Sequence, residues 1–180
     1  MKRWKSISIA LMAGASVIAL TACEEPTVDA AVFENLQQCL NNPDMDPDQC
    51  RQSFADARSQ HSAVAPKYSS AQDCQADFGD GRCEEAPYRT SSGGSVFMPL
   101  MMGYMMGSMI GGRGSVASQP LYRSAGDSKS FRTADNRNIG SATGRTRVAS
   151  SAASRPSVKS STLSRGGFGR SGGRFGSAAT

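Results

Sequence analysis

Four cysteines in the first half of the chain constrain its folding more than any other feature: Cys39, Cys50, Cys74 and Cys83. An even set of cysteines at such spacings is typical of a disulfide framework in an oxidising compartment. Of the three possible pairings, Cys39 with Cys50 and Cys74 with Cys83 closes the shortest loops, and we predict that pairing. Each closed loop would stabilise the fold by roughly 2 to 3 kcal/mol. A zinc site is the alternative, but the chain has no Cys-x-x-Cys pair and a single histidine.

A secretory signal is indicated at residues 1–22. A basic start precedes an apolar run over residues 7–20 and then small residues, and the basic start contains Lys2, Arg3 and Lys5. This is the three-part layout of an export signal. The apolar run is well short of the roughly twenty residues that a helix needs to span a bilayer. We therefore expect this segment to be removed rather than to remain as an anchor.

Cys23 is the fifth cysteine and the expected point of attachment to membrane lipid. The tetrapeptide Leu20-Thr21-Ala22-Cys23 resembles the bacterial lipobox, in which diacylglycerol is attached to the cysteine thiol. Two or more acyl chains hold a protein stably at a bilayer where one does not. We expect a lipidated N-terminus and tether at residues 23–28, in the cell envelope on the periplasmic side, and Glu24 favours the outer membrane over the inner. The alternative is an ordinary signal cut nearby, which leaves Cys23 free.

Residues 29–90 are expected to form a small helical domain stapled by the two bridges. The helical spacing of apolar residues predicts a first helix over Ala30–Leu40. Asp46 followed by Pro47 is typical of an N-cap and a first helical residue, so a second helix is predicted to run from there until Pro66 approaches. A domain of this size with few large apolar side chains cannot bury a generous core, so the bridges would carry much of its stability.

A third helix and the single histidine complete the analysis of this segment. Ser69 and Gln72 have capping-box spacing and predict a helix that ends at Gly79. His61 falls on the apolar face of the second helix. We interpret it as a partly buried helix residue, because no nucleophile and orienting acid can be assigned around it. No catalytic residue, and therefore no enzyme activity, is predicted.

Residues 91–112 contain an apolar, uncharged stretch, Val96–Gly112, with the sequence VFMPLMMGYMMGSMIGG. Gly103, Gly107 and Gly111 recur at every fourth position, the pattern of a glycine zipper that lets helix backbones approach closely. The stretch is at the lower limit of length for crossing a membrane. We expect a Met/Gly-rich apolar helix that self-associates through these glycines or lies in a membrane surface.

Six methionines in this stretch suggest periplasmic copper handling as an alternative function, because soft thioether ligands suit Cu(I). No histidine or cysteine accompanies them, and methionine is also a routine apolar filler of irregular cores. We therefore predict no metal site and no cofactor. The methionines concerned are Met98, Met101, Met102, Met105, Met106 and Met109.

Charge divides the mature chain into an acidic front and a basic tail. From Cys23 to Gly112, five Lys and Arg stand against thirteen Asp and Glu; from Arg113 to Thr180, twelve stand against two. Such asymmetry indicates that the tail meets an anionic partner, here anionic envelope polymers, or folds back on the acidic part. Because residues 113–180 are rich in Ser, Gly and Arg and poor in large apolar side chains, we expect a long disordered tail.

The end of the tail suggests a further alternative. The segments RGGFGR at residues 165–170 and GRFG at residues 173–176 resemble the Arg-Gly-Gly segments of RNA-binding tails. An export signal argues against that partner, so nucleic acid would be expected only if the chain is not exported.

Several motifs together resemble those of the YgiB-like proteins, an uncharacterised bacterial family with a domain of unknown function. They are the lipobox, the Cys-bracketed loops including APKYSSAQDCQADFGDGRCEEAP, the SVFMPLMMGYMMG block, the SQPLY run and the late RGGFG. The resemblance covers most of the mature chain and implies no reaction, cofactor or catalytic residue. The leading hypothesis is a non-enzymatic envelope lipoprotein with a structural or interaction role.

Overall fold

The computed structural model describes residues 25–107, 116–159 and Phe168. These residues form strands and helices, numbered here in chain order. The strands are β1 (Thr27–Phe33), β2 (Cys83–Arg89), β3 (Ser95–Pro99), β4 (Gly103–Gly107), β5 (Gln119–Ser124), β6 (Asp127–Thr133), β7 (Asn138–Gly140) and β8 (Gly144–Ala149). The helices are α1 (Leu36–Leu40), α2 (Pro47–Val64), α3 (Ala71–Phe78) and α4 (Ser150–Ala153).

Six of the strands form one antiparallel sheet in the order β7-β6-β5-β4-β1-β8, and β2 and β3 form a separate hairpin. The first strand, β1, lies inside the large sheet, between β4 on one side and β8 on the other. The sheet is nearly closed, and its two edge strands, β7 and β8, follow one another in the chain. One sheet therefore contains strands from all three parts of the mature chain that differ in composition: the part up to residue 90, residues 91–112 and residues 113–180.

This mostly β architecture shows that the predicted α-rich fold is wrong. The first predicted helix fails over its N-terminal part, because Ala30–Phe33 belongs to β1 and the helix α1 starts at Leu36. Ala30–Phe33 is buried at every residue. A strand covered on both faces has a continuous apolar run, which residue spacing cannot distinguish from a buried helix segment.

The predicted Met/Gly-rich apolar helix is also wrong, since this segment supplies β3 and β4. Successive side chains of a strand point to opposite faces. Met105 accordingly packs with Leu121 on one face of the sheet, and Met106 packs with Phe33 on the other. Both faces of β4 are covered, so the strand is apolar throughout. Among the described residues, no helix is long and apolar enough to cross a membrane.

The predicted long disordered tail is corrected over residues 119–149, which form β5 to β8. Each of these strands buries at least one apolar side chain: Leu121, Phe131, Ile139 and Val148 all lie in one core cluster. Their backbones are satisfied by ladders to neighbouring strands, including β1 and β4 from the other half of the chain. Composition cannot reveal such long-range pairing, which is why a Ser- and Arg-rich stretch was expected to be disordered.

The second and third predicted helices are confirmed. α2 begins at Pro47 with Asp46 as its N-cap, and the Asp46 carboxylate accepts a hydrogen bond of 2.8 Å from a backbone N–H of the first turn. α3 ends at Gly79, which has φ of +100°, but its N-cap is Ser70 rather than Ser69. α2 packs against β4 and β5, and α3 packs against the β2–β3 hairpin.

Candidate functional site

Buried polar and aromatic side chains meet where α2, α3 and the large sheet come together. We call this set the polar–aromatic cluster. Its members are His61, Tyr68, Asp77, Phe78, Tyr122 and Phe168, each of them buried.

His61 occupies the centre of this arrangement, near the C-terminal end of α2. Its Nδ1 lies 3.0 Å from the hydroxyl oxygen of Tyr122 on β5, and its Nε2 lies 3.3 Å from Oε1 of Glu84 on β2. A carboxylate only accepts hydrogen bonds, so Nε2 carries the hydrogen and Nδ1 accepts from the Tyr122 hydroxyl. The two rings stack with centroids 5.7 Å apart. One histidine thus links helix, hairpin and sheet.

Burial determines the protonation states of His61 and Tyr122. It lowers the pKa of His61 below its ordinary value, and this effect outweighs the hydrogen bond and negative charge of Glu84, which act in the opposite direction. Burial also raises the pKa of Tyr122, with a smaller contribution in the same direction from the charge of Glu84. At neutral pH both rings are therefore uncharged.

Asp77 is the second polar member, on α3. The hydroxyl of Tyr68 donates to Asp77 Oδ2 at 2.7 Å, and the backbone N–H of Phe168 donates to the same oxygen at 3.4 Å. Burial, followed by the hydrogen bond to Asp77, raises the pKa of Tyr68 far above its usual range. A buried carboxylate is tolerated when it accepts such hydrogen bonds. Asp77 therefore connects Phe168, near the end of the chain, to α3 in the first half of the chain.

Phe168 is the member of the cluster from the expected disordered tail, and sequence reasoning missed it. Its ring lies 4.6 Å from that of Phe78 and 6.1 Å, edge to face, from that of Tyr122, measured between centroids. The chain before it is also held, because the backbone N–H of Lys159 donates to the carbonyl of Ala63 at 3.0 Å. A single aromatic residue among glycines has no periodicity that could have predicted burial.

The cluster carries acid–base groups but is not arranged for nucleophilic catalysis. Among the described residues, the hydroxyl that His61 contacts is that of Tyr122, which is buried and whose raised pKa keeps it neutral. A catalytic base needs an accessible nucleophile and a space where a reacting atom can sit. Here the rings of Phe78 and Phe168 pack against Tyr122. The geometry is that of a satisfied polar core joining separate elements.

Comparison with known proteins identifies the family. A family model described as a protein of unknown function (DUF1190) matches residues 27–177. The chain belongs to this family. It is 35% identical to a UPF0441 protein of Erwinia tasmaniensis over 94% of this chain and 84% of that protein. A UPF0441 protein of Serratia proteamaculans is 36% identical over the same shares. No solved structure matches the chain.

These relatives confirm the resemblance to the YgiB-like proteins. The DUF1190 family is one of unknown function, and the relatives named here carry no enzyme name. Family membership therefore assigns no reaction to the polar–aromatic cluster.

The cysteines of this DUF1190 protein are paired as predicted. Cys39 is bonded to Cys50, which ties α1 to α2, and Cys74 is bonded to Cys83, which ties α3 to β2. Each bridge spans a short helix–loop connection with sequence separations of 11 and 9 residues. Cys23, the predicted lipidation site, lies outside the described residues.

The structure places three of the six methionines in different parts of the core. Met98, Met105 and Met106 lie in three different core clusters. The described residues contain no group of His, Cys, Asp or Glu side chains that could hold a metal ion. Met109 lies outside the described residues. The geometry therefore favours the packing interpretation of these methionines.

The glycine zipper is corrected by the strand conformation of its first members. Gly103 and Gly107 are the two ends of β4, so they cannot mediate helix association, and Gly111 lies outside the described residues. The glycines serve packing instead. A Cβ at Gly103 would lie 2.8 Å from the carbonyl oxygen of Phe33 and 2.9 Å from the ring of Phe131.

The acidic and basic halves of the chain fold onto each other. Arg123 on β5 lies 2.7 Å from the carboxylate of Glu34, and Arg147 on β8 lies 3.4 Å from that of Asp29 on β1. Of the two explanations for the charge asymmetry, folding back therefore holds for these arginines. Surface pairs of this kind contribute about 0 to 1 kcal/mol each, so their contribution to stability is small.

Proposed function

We propose that this DUF1190 protein is a cell-envelope lipoprotein, attached to membrane lipid through Cys23 on the periplasmic side. Its folded part is a non-enzymatic structural or interaction module. Glu24, directly after the lipidated cysteine, favours the outer membrane.

The observation that carries this proposal is the pairing of four of the five cysteines. The two disulfides use Cys39, Cys50, Cys74 and Cys83. Disulfides persist in oxidising compartments, which fits an exported chain. Cys23 is the cysteine left over, at the end of a segment with the layout of a signal peptide. The pairing thus leaves one thiol for lipid and none for zinc.

The position of the fold relative to Cys23 also supports an anchored protein. β1 begins at Thr27, four residues after Cys23. Four residues span at most about 14 Å when fully extended. The large sheet would therefore sit close to the bilayer surface, with the start of β1 and the end of its antiparallel partner β8 on the membrane side.

The closed polar–aromatic cluster supports a non-enzymatic role. Its hydroxyl, imidazole and carboxylate groups bond to one another, and aromatic rings cover them. Such networks specify a unique core when every member is satisfied. An interaction role also fits the tail, whose last arginines, Arg165, Arg170 and Arg174, would contact anionic envelope polymers.

The test is the intact mass of the protein released from its native membrane, before and after reduction. We expect an acylated mature chain that begins at Cys23 and gains about four hydrogens when its two disulfides are reduced. The matched control is Cys23→Ser, which should leave the disulfides intact and remove the acyl mass. An unprocessed chain with free thiols would overturn the proposal.

A further inference from the structure

A polar cleft lies where the two edge strands of the large sheet approach each other. Its volume is about 490 Å³. Polar side chains line it from the segment before β1, from the β6–β7 turn and the start of β7, and from α4. They belong to Glu25, Asp135, Asn136, Arg137, Asn138 and Ser151.

Two opposite charges share this cleft without neutralising each other. The Glu25 carboxylate accepts a hydrogen bond of 2.9 Å from the backbone N–H of Ser151. In the part of the chain that the structure describes, no ion pair joins Glu25 to Arg137, although both line the cleft. Among the described residues, the guanidinium of Arg137 has no hydrogen-bond or ion-pair partner. Hydrogen bonds from Ser151, with a further contribution from the positive charge of Arg137, hold the pKa of Glu25 below its usual range. The cleft therefore presents a carboxylate and a guanidinium, both charged and both accessible.

The turn that carries Arg137 is firmly held. The backbone N–H of Thr133 donates to the carbonyl of Arg137 at 3.0 Å, and Asn136 between them adopts the left-handed φ of 62°. The guanidinium of Arg132 donates to the backbone and side-chain oxygens of Asn136 at 3.3 and 3.0 Å. The position of Arg137 at the cleft is thus set by the β6–β7 hairpin.

Asp135, the second carboxylate of the cleft, is already neutralised. It forms an ion pair with Lys159, and the hydroxyl of Ser157 donates to it at 2.6 Å. The charges left for a ligand are therefore one negative, at Glu25, and one positive, at Arg137. A simple anion would face the Glu25 carboxylate, and a simple cation would face the Arg137 guanidinium. A zwitterion with separated charges satisfies both.

We propose that this cleft binds the headgroup of an aminophospholipid, with Arg137 pairing with the phosphate and Glu25 accepting hydrogen bonds from the primary ammonium. The choice of a membrane lipid rests on the proposed function, because Glu25 lies two residues after Cys23. Two residues span at most about 7 Å, so a lipidated Cys23 would hold the cleft at headgroup level. Arginine binds phosphate in a bidentate manner, and a primary ammonium donates to a carboxylate, which a quaternary ammonium cannot do.

The test is native mass spectrometry of the protein released from its own membrane in detergent. Short-chain phosphatidylethanolamine and phosphatidylcholine are added at equal concentration, and inorganic phosphate is added in a separate arm. We expect a preference for phosphatidylethanolamine. Arg137→Gln should lower the affinity for phosphatidylethanolamine about tenfold or more, which is the loss expected for one charge-assisted hydrogen-bonded pair. Arg51→Gln, which removes the same charge from an exposed position on α2, should leave binding unchanged.

Glu25→Gln tests the ammonium half of the site. This variant should bind both lipids equally, because the carboxylate that distinguishes a primary ammonium is gone, whereas the exposed control Asp56→Asn should keep the preference. Equal binding of the two lipids by the unaltered protein, or no difference between Arg137→Gln and Arg51→Gln, would refute the proposal. Displacement of the lipid by inorganic phosphate at equal concentration would instead identify a plain anion site and also refute it.

The mass of the same sample separates this proposal from the proposed function. An acylated chain that shows no lipid preference would refute the headgroup site alone. An unacylated chain would refute the envelope lipoprotein, and with it the choice of a membrane lipid as the source of the headgroup.

Discussion

Gly103 shows how a single residue can be required for packing rather than for backbone freedom. It opens β4, and the space where a side chain would begin is filled by the carbonyl of Phe33 and the ring of Phe131. Both neighbours belong to packed core elements, so neither can move at low cost. In this protein the glycine allows close contact within a sheet, although its spacing suggested contact between helices.

Gly103→Ala should destabilise the fold by about 1 to 3 kcal/mol, the usual cost of overpacking a core. The measurement is the urea midpoint of unfolding. Gly126→Ala is the matched control, because a Cβ at Gly126, in the β5–β6 turn, meets nothing within 4 Å. Equal midpoints for the two variants would contradict the packing argument.

His61 should make stability depend on pH in a defined window. Its pKa in the folded protein is lowered from 6.5, chiefly by burial, so the unfolded chain binds a proton more readily than the folded chain does. The folded protein therefore favours the neutral form of His61. The free energy of unfolding decreases as the pH falls through 6.5 and below, because the unfolded chain then takes up a proton that the folded chain does not. The lowered carboxylate pKa values of Glu25, Asp127 and Asp135 act in the same direction, but below their ordinary values of 4.5 and 3.8.

We therefore expect the free energy of unfolding to decrease between about pH 7 and pH 5, and His61→Gln to abolish that slope. Urea titrations at a series of pH values measure it. The glutamine variant will be less stable overall, but the test is the slope and not the absolute stability. A slope that persists unchanged in His61→Gln would show that another group is responsible.

At the scale of the structural elements, the side chain of Phe168 packs the C-terminal part of the chain against the core. Phe168 packs on Phe78 and Tyr122, and its backbone bonds to Asp77. Truncating a buried phenylalanine to alanine costs about 3 to 5 kcal/mol. Phe168→Ala should therefore lower the thermal midpoint clearly, whereas Val158→Ala, at a side chain that is 71% exposed, should not. Equal midpoints for both variants would mean that Phe168 contributes nothing to stability.

The disulfides act on pairs of elements, one bridge in each of two core clusters. Removing Cys39 and Cys50 together, or Cys74 and Cys83 together, by alanine substitution should cost about 2 to 3 kcal/mol in each case by loop entropy. Urea unfolding with and without reductant measures this. Because the clusters differ, the two losses should add within about 0.5 kcal/mol. A urea midpoint that reduction does not change would contradict the stabilising role of the bridges.

At the scale of the whole molecule, we expect that the acidic half cannot fold without the basic half. β1 from the acidic half needs β8 beside it, and β4 needs β5, both from the basic half. The fragment 23–112 should therefore be unfolded, since it loses these ladders together with the buried Leu121, Tyr122 and Phe131. A chain ending at Arg170 retains every described residue and is the control.

Circular dichroism and urea unfolding would distinguish the two chains. We expect a cooperative transition for the chain ending at Arg170 and none for the fragment 23–112. A cooperative transition of the fragment would restore the view of an independent N-terminal domain and contradict the structure.

Signals within a few residues of one another determined what the sequence alone could establish. Asp46 with Pro47 marked the start of α2, Gly79 marked the end of α3, and the short cysteine spacings indicated the two bridges. Each of these depends on local backbone hydrogen bonds or on the entropy of a short loop, which neighbouring residues specify.

The tertiary structure alone decided the sheet and the polar–aromatic cluster. The second half of β1 and all of β4 were mistaken for helices because a strand segment buried on both faces is a continuous apolar run. β5 to β8 were taken as disordered because they join the sheet through the pairing of β5 with β4 and of β8 with β1, strands distant in sequence. Phe168 reaches Asp77 across 91 residues. Contacts at such separations are decided by which elements cover one another in three dimensions, and no local pattern encodes that.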